Sequence, residues 1–135
     1  MDNLEIAQSS LLANSDIDMS VLSQALKTLS ANKIDFGDIY FEKTESESFS
    51  LEDGIVKTGS FDISKGVGVR AILGTKTGFA YSDILDKFSL IEACKAARTI
   101  SSGHNCNTVN ISQNYIKSAP LYSPDNPIMS LSRDE

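Results

Sequence analysis

The sequence predicts an α+β fold, an antiparallel meander of about five strands covered by two helices. Three observations lead to this prediction. Two segments carry apolar residues at helical spacing, the segment between them alternates with a period of two, and short turn signals interrupt that alternation. Strands joined by such short loops are antiparallel neighbours, because parallel neighbours need a long crossover connection.

The first predicted helix covers about residues 19–32. Asp18 suits its N-cap, because a carboxylate there accepts hydrogen bonds from the free amides of the first turn. Asn32 is expected to end the helix in a left-handed conformation. Residues 1–17 are interpreted as a lead-in. One apolar stripe faces the core and contains Leu22, Ala25, Leu26 and Leu29.

The predicted meander runs from Asp38 to Ser82. Asp53-Gly54 is its strongest hairpin signal, because a type I′ turn needs positive φ at both central residues. Further breaks are expected at residues 64–66 and 74–76. These breaks, with one more between residues 42 and 48, divide the segment into five strands.

The second predicted helix follows the meander and packs on it. Asp86 is one candidate N-cap, and Ser89-x-x-Glu92 is a competing capping box one turn later. Gly103 is expected to stop the helix. Its buried stripe contains Leu90, Ala93, Cys94, Ala97 and Ile100.

Three regions result: the lead-in at 1–17, an α+β domain at 18–103, and an irregular connector at 104–135. The connector ends on Ser132-Arg133-Asp134-Glu135, which has the form of a capping box. A capping box predicts the start of a helix, so we expect this polypeptide to be the N-terminal part of a longer one.

Composition excludes several classes of function. The formal net charge of the 135 residues is -6, which disfavours nucleic acid and anionic membrane surfaces as partners. No run approaches the ~20 apolar residues that a membrane span requires, and the N-terminus lacks the positive charge of a secretion signal. Two cysteines fit a reducing cytosol better than a disulfide-rich secreted scaffold. A cytoplasmic location is expected.

The residues most able to bind a metal do not make a convincing site. Cys94, His104 and Cys106 could supply three ligands, but their spacing is wrong for a zinc knuckle and Cys94 falls on a buried stripe. Without a second histidine, a catalytic relay would depend on His104 alone. We therefore assign no catalytic, cofactor-binding or metal residue to this chain.

Two other patterns have ordinary structural explanations. Residues 66–71, GVGVRA, approach the dinucleotide-binding fingerprint, but the alternation continues as a strand where that motif needs a helix. Arg70 within it is expected to be solvated or ion-paired, with a functional role as the alternative. The acidic cluster is expected to protect a strand edge against aggregation rather than perform acid–base chemistry; it contains Glu42, Glu45, Glu47, Glu52 and Asp53.

Three motifs in order resemble the N-terminal domain of the TldD/PmbA metalloproteases. They are residues 51–60 (LEDGIVKTGS), 66–71 (GVGVRA) and 74–83 (GTKTGFAYSD). Asp38-x-Tyr40-Phe41 and Ala96-Ala97-Arg98 also fit. The resemblance is closest to the TldD branch and covers nearly the whole chain, from about Leu11 to Glu135.

The resemblance implies a bacterial cytosolic zinc protease that cleaves unfolded peptides inside a chamber formed with a paralogous PmbA/TldE-like subunit. The family's zinc motif, His-Glu-x-x-x-His with a later cysteine, belongs to its C-terminal domain. Two imidazoles hold the metal there and the glutamate takes a proton from its water. Nothing in this sequence matches that motif, so the expected role is a non-catalytic domain without zinc of its own.

Two hypotheses therefore remain at the level of sequence. In the first, the chain is the front of a TldD-like protease that lacks its C-terminal domain, and it helps to wall the chamber and contacts the partner subunit. In the second, it is a free-standing protein-interaction module without enzymatic activity.

Overall fold

The computed structural model describes residues 3–102, 119, 121–123 and 125–130. Two helices, α1 (Asn3–Leu12) and α2 (Met19–Leu29), precede the strands β1 (Phe36–Glu52), β2 (Ile55–Leu73) and β3 (Lys76–Ser82). Helix α3 (Lys87–Ala97) follows and continues into a 3-10 turn, Arg98–Ile100. The predicted α+β class is confirmed, and the prediction of two helices is wrong, because α1 forms within the region interpreted as a lead-in.

The sheet is an antiparallel meander of three strands in the order β1-β2-β3, so the prediction of about five strands is wrong. The predicted break at residues 64–66 lies inside β2, where Ser64 pairs with Thr44 and Gly66 with Glu42. The stretch after Glu42 likewise continues β1 as far as Glu52. Both faces of this part of the sheet are accessible to solvent, so its serines, lysines and glycines resemble loop residues although the ladder continues through them.

The Asp53-Gly54 turn forms as predicted. Asp53 has φ 53° and Gly54 has φ 75°, the two positive values that a type I′ turn requires. Glu52 and Ile55 pair directly across it. The second hairpin turns at Gly74-Thr75, because Leu73 pairs with Lys76.

Replacing Gly54 with valine should lower the free energy of unfolding by more than the ~0.5 kcal/mol typical of surface substitutions. A β-branched residue is strongly disfavoured at positive φ, although nothing lies within 4 Å of the added Cβ. Gly54→Asn is the matched control, since asparagine tolerates this conformation. Equal denaturation midpoints for the valine and asparagine variants would contradict the turn.

Both predicted N-caps are confirmed. Asp18 Oδ1 accepts from the Val21 amide at 2.8 Å, and Asp86 Oδ1 accepts from the Ser89 amide at 2.7 Å. The Ser89 hydrogen bond lowers the pKa of Asp86. The competing Ser89-x-x-Glu92 box is not the start of α3, because Lys87 is already helical.

The end of α2 differs from the prediction. The helix stops at Leu29, and Asn32 does not adopt positive φ. Its side-chain amide instead donates to the carbonyls of Arg98 and Ser101, at 3.1 and 2.6 Å. Arg98 Nη1 reciprocates by donating to the Thr28 carbonyl at 2.8 Å. These bonds satisfy carbonyls at two helix ends and join α2 to the 3-10 turn.

The core lies between the helices and one face of the sheet. Val67, Val69 and Ala71 of β2 are fully buried there, opposite Ala25 and Leu29 of α2 and the stripe of α3. The stripe of α3 is as predicted at its buried positions, which are Leu90, Ala93, Cys94 and Ala97. No helix within the described residues is long and apolar enough to cross a bilayer. Gly103 and the residues 132–135 of the proposed capping box lie outside the described residues.

Candidate interaction surface

The face of the sheet opposite the core is open and carries aromatic side chains; we call it the outer face. Alternation along β2 places Gly66, Gly68 and Arg70 there, since Val67 and Val69 point into the core. The ladder aligns Tyr40, Gly68 and Tyr81 in one row across the three strands. These two tyrosines are 63% and 61% exposed, so they are available to a partner.

Two glycines form the floor of a groove on the outer face. A Cβ added at Gly68 would meet the Phe79 ring at 3.1 Å, and one added at Gly66 would collide with Tyr81. The rings therefore lie across the glycines, which is possible only because neither glycine has a side chain. The groove has a volume of about 230 Å³ and is lined by Tyr40, Glu42, Ser64, Lys65, Gly66, Gly68, Phe79 and Tyr81.

The groove combines aromatic walls with one acidic and one basic side chain. Tyr40 donates its hydroxyl proton to Glu42 Oε2 at 3.1 Å, and this hydrogen bond raises the pKa of Tyr40. Both groups are exposed, and no nucleophile with an adjacent base lines the groove. The arrangement is suited to binding, because tyrosine, phenylalanine and arginine are the residues enriched at protein interfaces.

Arg70 lies beside the groove and is ion-paired, as the sequence analysis favoured. Its Nε and Nη2 donate to the two carboxylate oxygens of Asp38, at 2.9 and 2.7 Å. This pairing raises the pKa of Arg70 above its already high ordinary value. The guanidinium also lies 5.9 Å from the centre of the Phe36 ring. The ion pair and the Phe36 ring thus fix the position of the guanidinium beside the groove.

A second exposed feature is the distal part of the β1–β2 hairpin, residues 43–65, which we call the arm. Strand β3 pairs with residues 67–73 of β2, so the arm has two strands, and within the described residues no third strand pairs with either of its edges. Phe49, Phe61 and Ile63 on the arm are about half exposed or more. An isolated two-stranded ribbon is marginally stable in water, so this feature is suited to packing against another surface.

The carboxylates of the predicted acidic cluster do not lie together at one site. Glu42 belongs to the outer face, Glu45 and Glu47 to the arm, and Glu52 and Asp53 to the hairpin turn. Lys43 pairs with Glu45 at 2.6 Å and, with a smaller effect from Asn126, lowers the pKa of Glu45. A lowered pKa is the opposite of the property that a general acid needs, so Glu45 is not suited to that role.

Of the candidate metal ligands, the structure describes only Cys94; His104 and Cys106 lie outside the described residues. Cys94 is fully buried in the core, as the stripe predicted, and burial raises the pKa of its thiol from 9.0 to about 11. A thiol that is fully buried and protonated at neutral pH behaves as a small hydrophobic group rather than as a nucleophile. The described residues contain no group of three or more potential metal ligands.

The Cys94 pKa predicts a loss of stability in alkali. Between pH 9.0 and about 11 the folded state keeps a proton that the unfolded state has lost. The free energy of unfolding should therefore fall as pH rises through this interval, by up to ~3 kcal/mol. The measurement is urea denaturation across the interval. Cys94→Ala should remove this part of the decline, and Cys106→Ser is the control that should retain it. Equal slopes for wild type and Cys94→Ala would contradict the burial of Cys94.

Sequence analysis missed the aromatic groove. Tyr40, Phe79 and Tyr81 each occupy ordinary strand positions, and their convergence depends on the pairing of three strands. One signal was available: glycines at alternate positions of β2, with aromatic residues at alternate positions of β3. That pattern indicates rings lying across glycines once the register is known.

Comparisons with known proteins agree on one family. Residues 37–101 match the family described as PmbA/TldA metallopeptidase domain 1. A protein of Haemophilus influenzae named Metalloprotease TldD homolog is 37% identical over 133 residues, covering 98% of this chain and 28% of the relative. Proteins of the same name from two Buchnera aphidicola subspecies are 34% identical (subsp. Schizaphis graminum) and 37% identical (subsp. Acyrthosiphon pisum), each covered to 27%. The chain therefore spans just over a quarter of the length of these curated relatives.

Proposed function

The chain carries the N-terminal domain of the TldD/PmbA metallopeptidase family, and we propose that this domain serves a protease without contributing catalytic groups. In the proposal, a TldD-like cytoplasmic zinc enzyme cleaves unfolded peptides, and its metal and catalytic residues belong to a C-terminal domain. This domain helps to wall the chamber and contacts a paralogous PmbA/TldE-like subunit.

The observation that carries the proposal is the contrast between the two faces of the sheet. One face is covered by α2 and α3. The core between them contains Cys94, whose buried thiol has a raised pKa. The other face is open and carries the groove of Tyr40, Phe79 and Tyr81, without a nucleophile and base in contact. A domain with such an open face is suited to binding a protein surface. Its association with a protease is inferred from the names of its relatives.

We assign the contact with the paralogous subunit to the outer face. Phe79 is 65% exposed on this face and lies beside the Arg70–Asp38 pair. A buried aromatic side chain next to an arginine is the usual composition of an energetic centre in a protein interface. Burying Phe79 on the partner would remove from water one of the largest apolar side chains of the groove.

Titration calorimetry with the PmbA-like paralogue of the same genome tests this assignment. Phe79→Asp should weaken binding at least about tenfold, because it places a charge in the interface. Phe88→Asp is the matched control, since Phe88 is 74% exposed on α3, away from the outer face. Binding that is absent for the unmodified chain, or equally affected by the two substitutions, would contradict the assignment.

The nucleotides downstream of this coding sequence test the link to the protease. A frame encoding His-Glu-x-x-x-His, intact or interrupted, supports a domain of a TldD-like enzyme. A gene end without any trace of that motif would contradict it and favour the free-standing interaction module.

A further inference from the structure

We infer that the groove on the outer face receives an arginine side chain of a partner protein, with the guanidinium beside Glu42 and against the rings of Tyr40 and Tyr81. The inference deepens the proposed contact on the outer face by naming the chemical group that the partner presents. It rests on the proposed function only for the identity of that partner, the paralogous subunit.

Strand β1 carries the same pair of side chains twice on the outer face. An aromatic residue is followed two positions later by a carboxylate in Phe36-x-Asp38 and again in Tyr40-x-Glu42. The first pair binds a cation of this chain. Arg70 donates hydrogen bonds to both carboxylate oxygens of Asp38 and lies 5.9 Å from the centre of the Phe36 ring. The structure thus shows which group such a pair accommodates.

The second pair receives no such group from β2. The residue paired with Glu42 is Gly66, whereas the residue paired with Asp38 is Arg70. A side chain cannot replace this glycine without moving a ring, because an added Cβ would collide with Tyr81. The surface beside Glu42 is therefore aromatic, and a guanidinium can reach it only from outside the sheet.

The charge of Glu42 is not balanced within the described part of the chain. Its carboxylate accepts from two neutral hydroxyls, those of Tyr40 at 3.1 Å and Thr44 at 3.4 Å. Among the described residues, no cation forms an ion pair with it. Lys65 lines the edge of the groove, but alternation along β2 directs its side chain toward the face that carries Val67. The groove therefore favours a cationic ligand.

The aromatic walls favour arginine among the cationic side chains. Tyr40 and Tyr81 lie on either side of the glycine floor and are 63% and 61% exposed, so both rings are open to a ligand. A guanidinium is planar, stacks on aromatic rings and donates two parallel hydrogen bonds to a carboxylate. A lysine ammonium is a compact, strongly hydrated charge that cannot do both in the same way.

An NMR titration of the isotope-labelled chain with the acetylated and amidated tripeptide Gly-Arg-Gly tests the groove directly. The amides of Gly66 and Gly68 should shift saturably, with a dissociation constant on the order of millimolar. The same tripeptide with citrulline keeps the planar group without its charge and should bind at least about tenfold more weakly. The lysine tripeptide should bind about threefold more weakly. Absent shifts, or equal binding of the arginine peptide and either of the other two, would overturn the inference.

Three variants identify the groups that bind the arginine peptide. Glu42→Gln removes the charge, and Tyr81→Leu removes a ring while keeping an apolar side chain; each should weaken binding at least about threefold. Glu47→Gln is the matched control, because it removes the same charge from β1 on the opposite face of the sheet and should leave binding unchanged. Circular dichroism confirms that each variant is folded. Unchanged binding by folded Glu42→Gln would overturn the inference.

Calorimetry with the PmbA-like paralogue tests whether this partner supplies the arginine. Glu42→Gln should weaken the binding at least about threefold, and Glu47→Gln should not. A paralogue that does not bind the unmodified chain contradicts the proposed function, and the peptide titration still decides the inference. Binding that is weakened by Phe79→Asp but not by Glu42→Gln supports the proposed contact and overturns the assignment of an arginine to it.

Discussion

Leu90→Ala should lower the free energy of unfolding by about 2–5 kcal/mol. Leu90 has no exposed surface and is among the largest fully buried side chains of the described residues. It belongs to α3, the helix that closes the core over β2 and β3. Removing it deletes buried apolar surface and leaves a cavity that the surrounding backbone can close only in part.

Phe88→Ala on the same helix is the matched control, because Phe88 is 74% exposed and its loss should change stability by no more than ~0.5 kcal/mol. Urea denaturation followed by circular dichroism measures both variants. Similar midpoints for the two would mean that α3 presents a different face to the sheet.

Gly78→Ala should destabilise the chain by roughly 1–3 kcal/mol or more, although it adds a single methyl group. Gly78 lies on the core side of β3, and an added Cβ would collide with the Ala97 carbonyl oxygen and approach Ile100 Cγ2 at 2.5 Å. The carbonyl belongs to the end of α3, so the helix itself would have to move away from the strand.

Gly68→Ala is the control that isolates this effect. Gly68 also lies within a strand, but its added Cβ would meet only the Phe79 ring at 3.1 Å, and Phe79 is an exposed side chain that can rotate. Alanine is favoured over glycine by roughly 0.5–1 kcal/mol in a strand interior. Gly68→Ala should therefore be nearly neutral or slightly stabilising, and a loss equal to that of Gly78→Ala would contradict the close contact between α3 and β3.

The elements that could be predicted from sequence are those set by local chemistry. Asp18 and Asp86 cap helices because a carboxylate at that position has amides within reach, whatever the rest of the fold does. Asp53-Gly54 forms its turn because of its own backbone preferences. The stripe of α3 was also predictable, since a periodic pattern of buried residues identifies the face of a helix.

The wrong predictions concern elements whose conformation depends on contacts between residues that are distant in sequence. The arm has no fully buried face, and residues 43–48 and 64–66 lack the apolar alternation that identifies a strand, so three long strands were divided into five. Helix α1 has a weak apolar pattern and was not predicted. Asn32 suits a helix end by its own preferences, but the carbonyls of Arg98 and Ser101, distant in sequence, determine its conformation. The groove was not predicted for the same reason, because its side chains come together only through the pairing of three strands.

The central claim is that this domain belongs to a metalloprotease family yet supplies no catalytic metal site. Its most direct test is the metal content of the purified 135-residue chain after dialysis against zinc and then against buffer, with peptidase activity on an unfolded polypeptide measured on the same sample. The account predicts zinc far below one equivalent per chain and no peptidase activity, because one histidine and two cysteines, of which Cys94 is buried in the core, leave too few ligands for a catalytic zinc site. About one zinc per chain, retained after dialysis and accompanied by peptide hydrolysis, would contradict it.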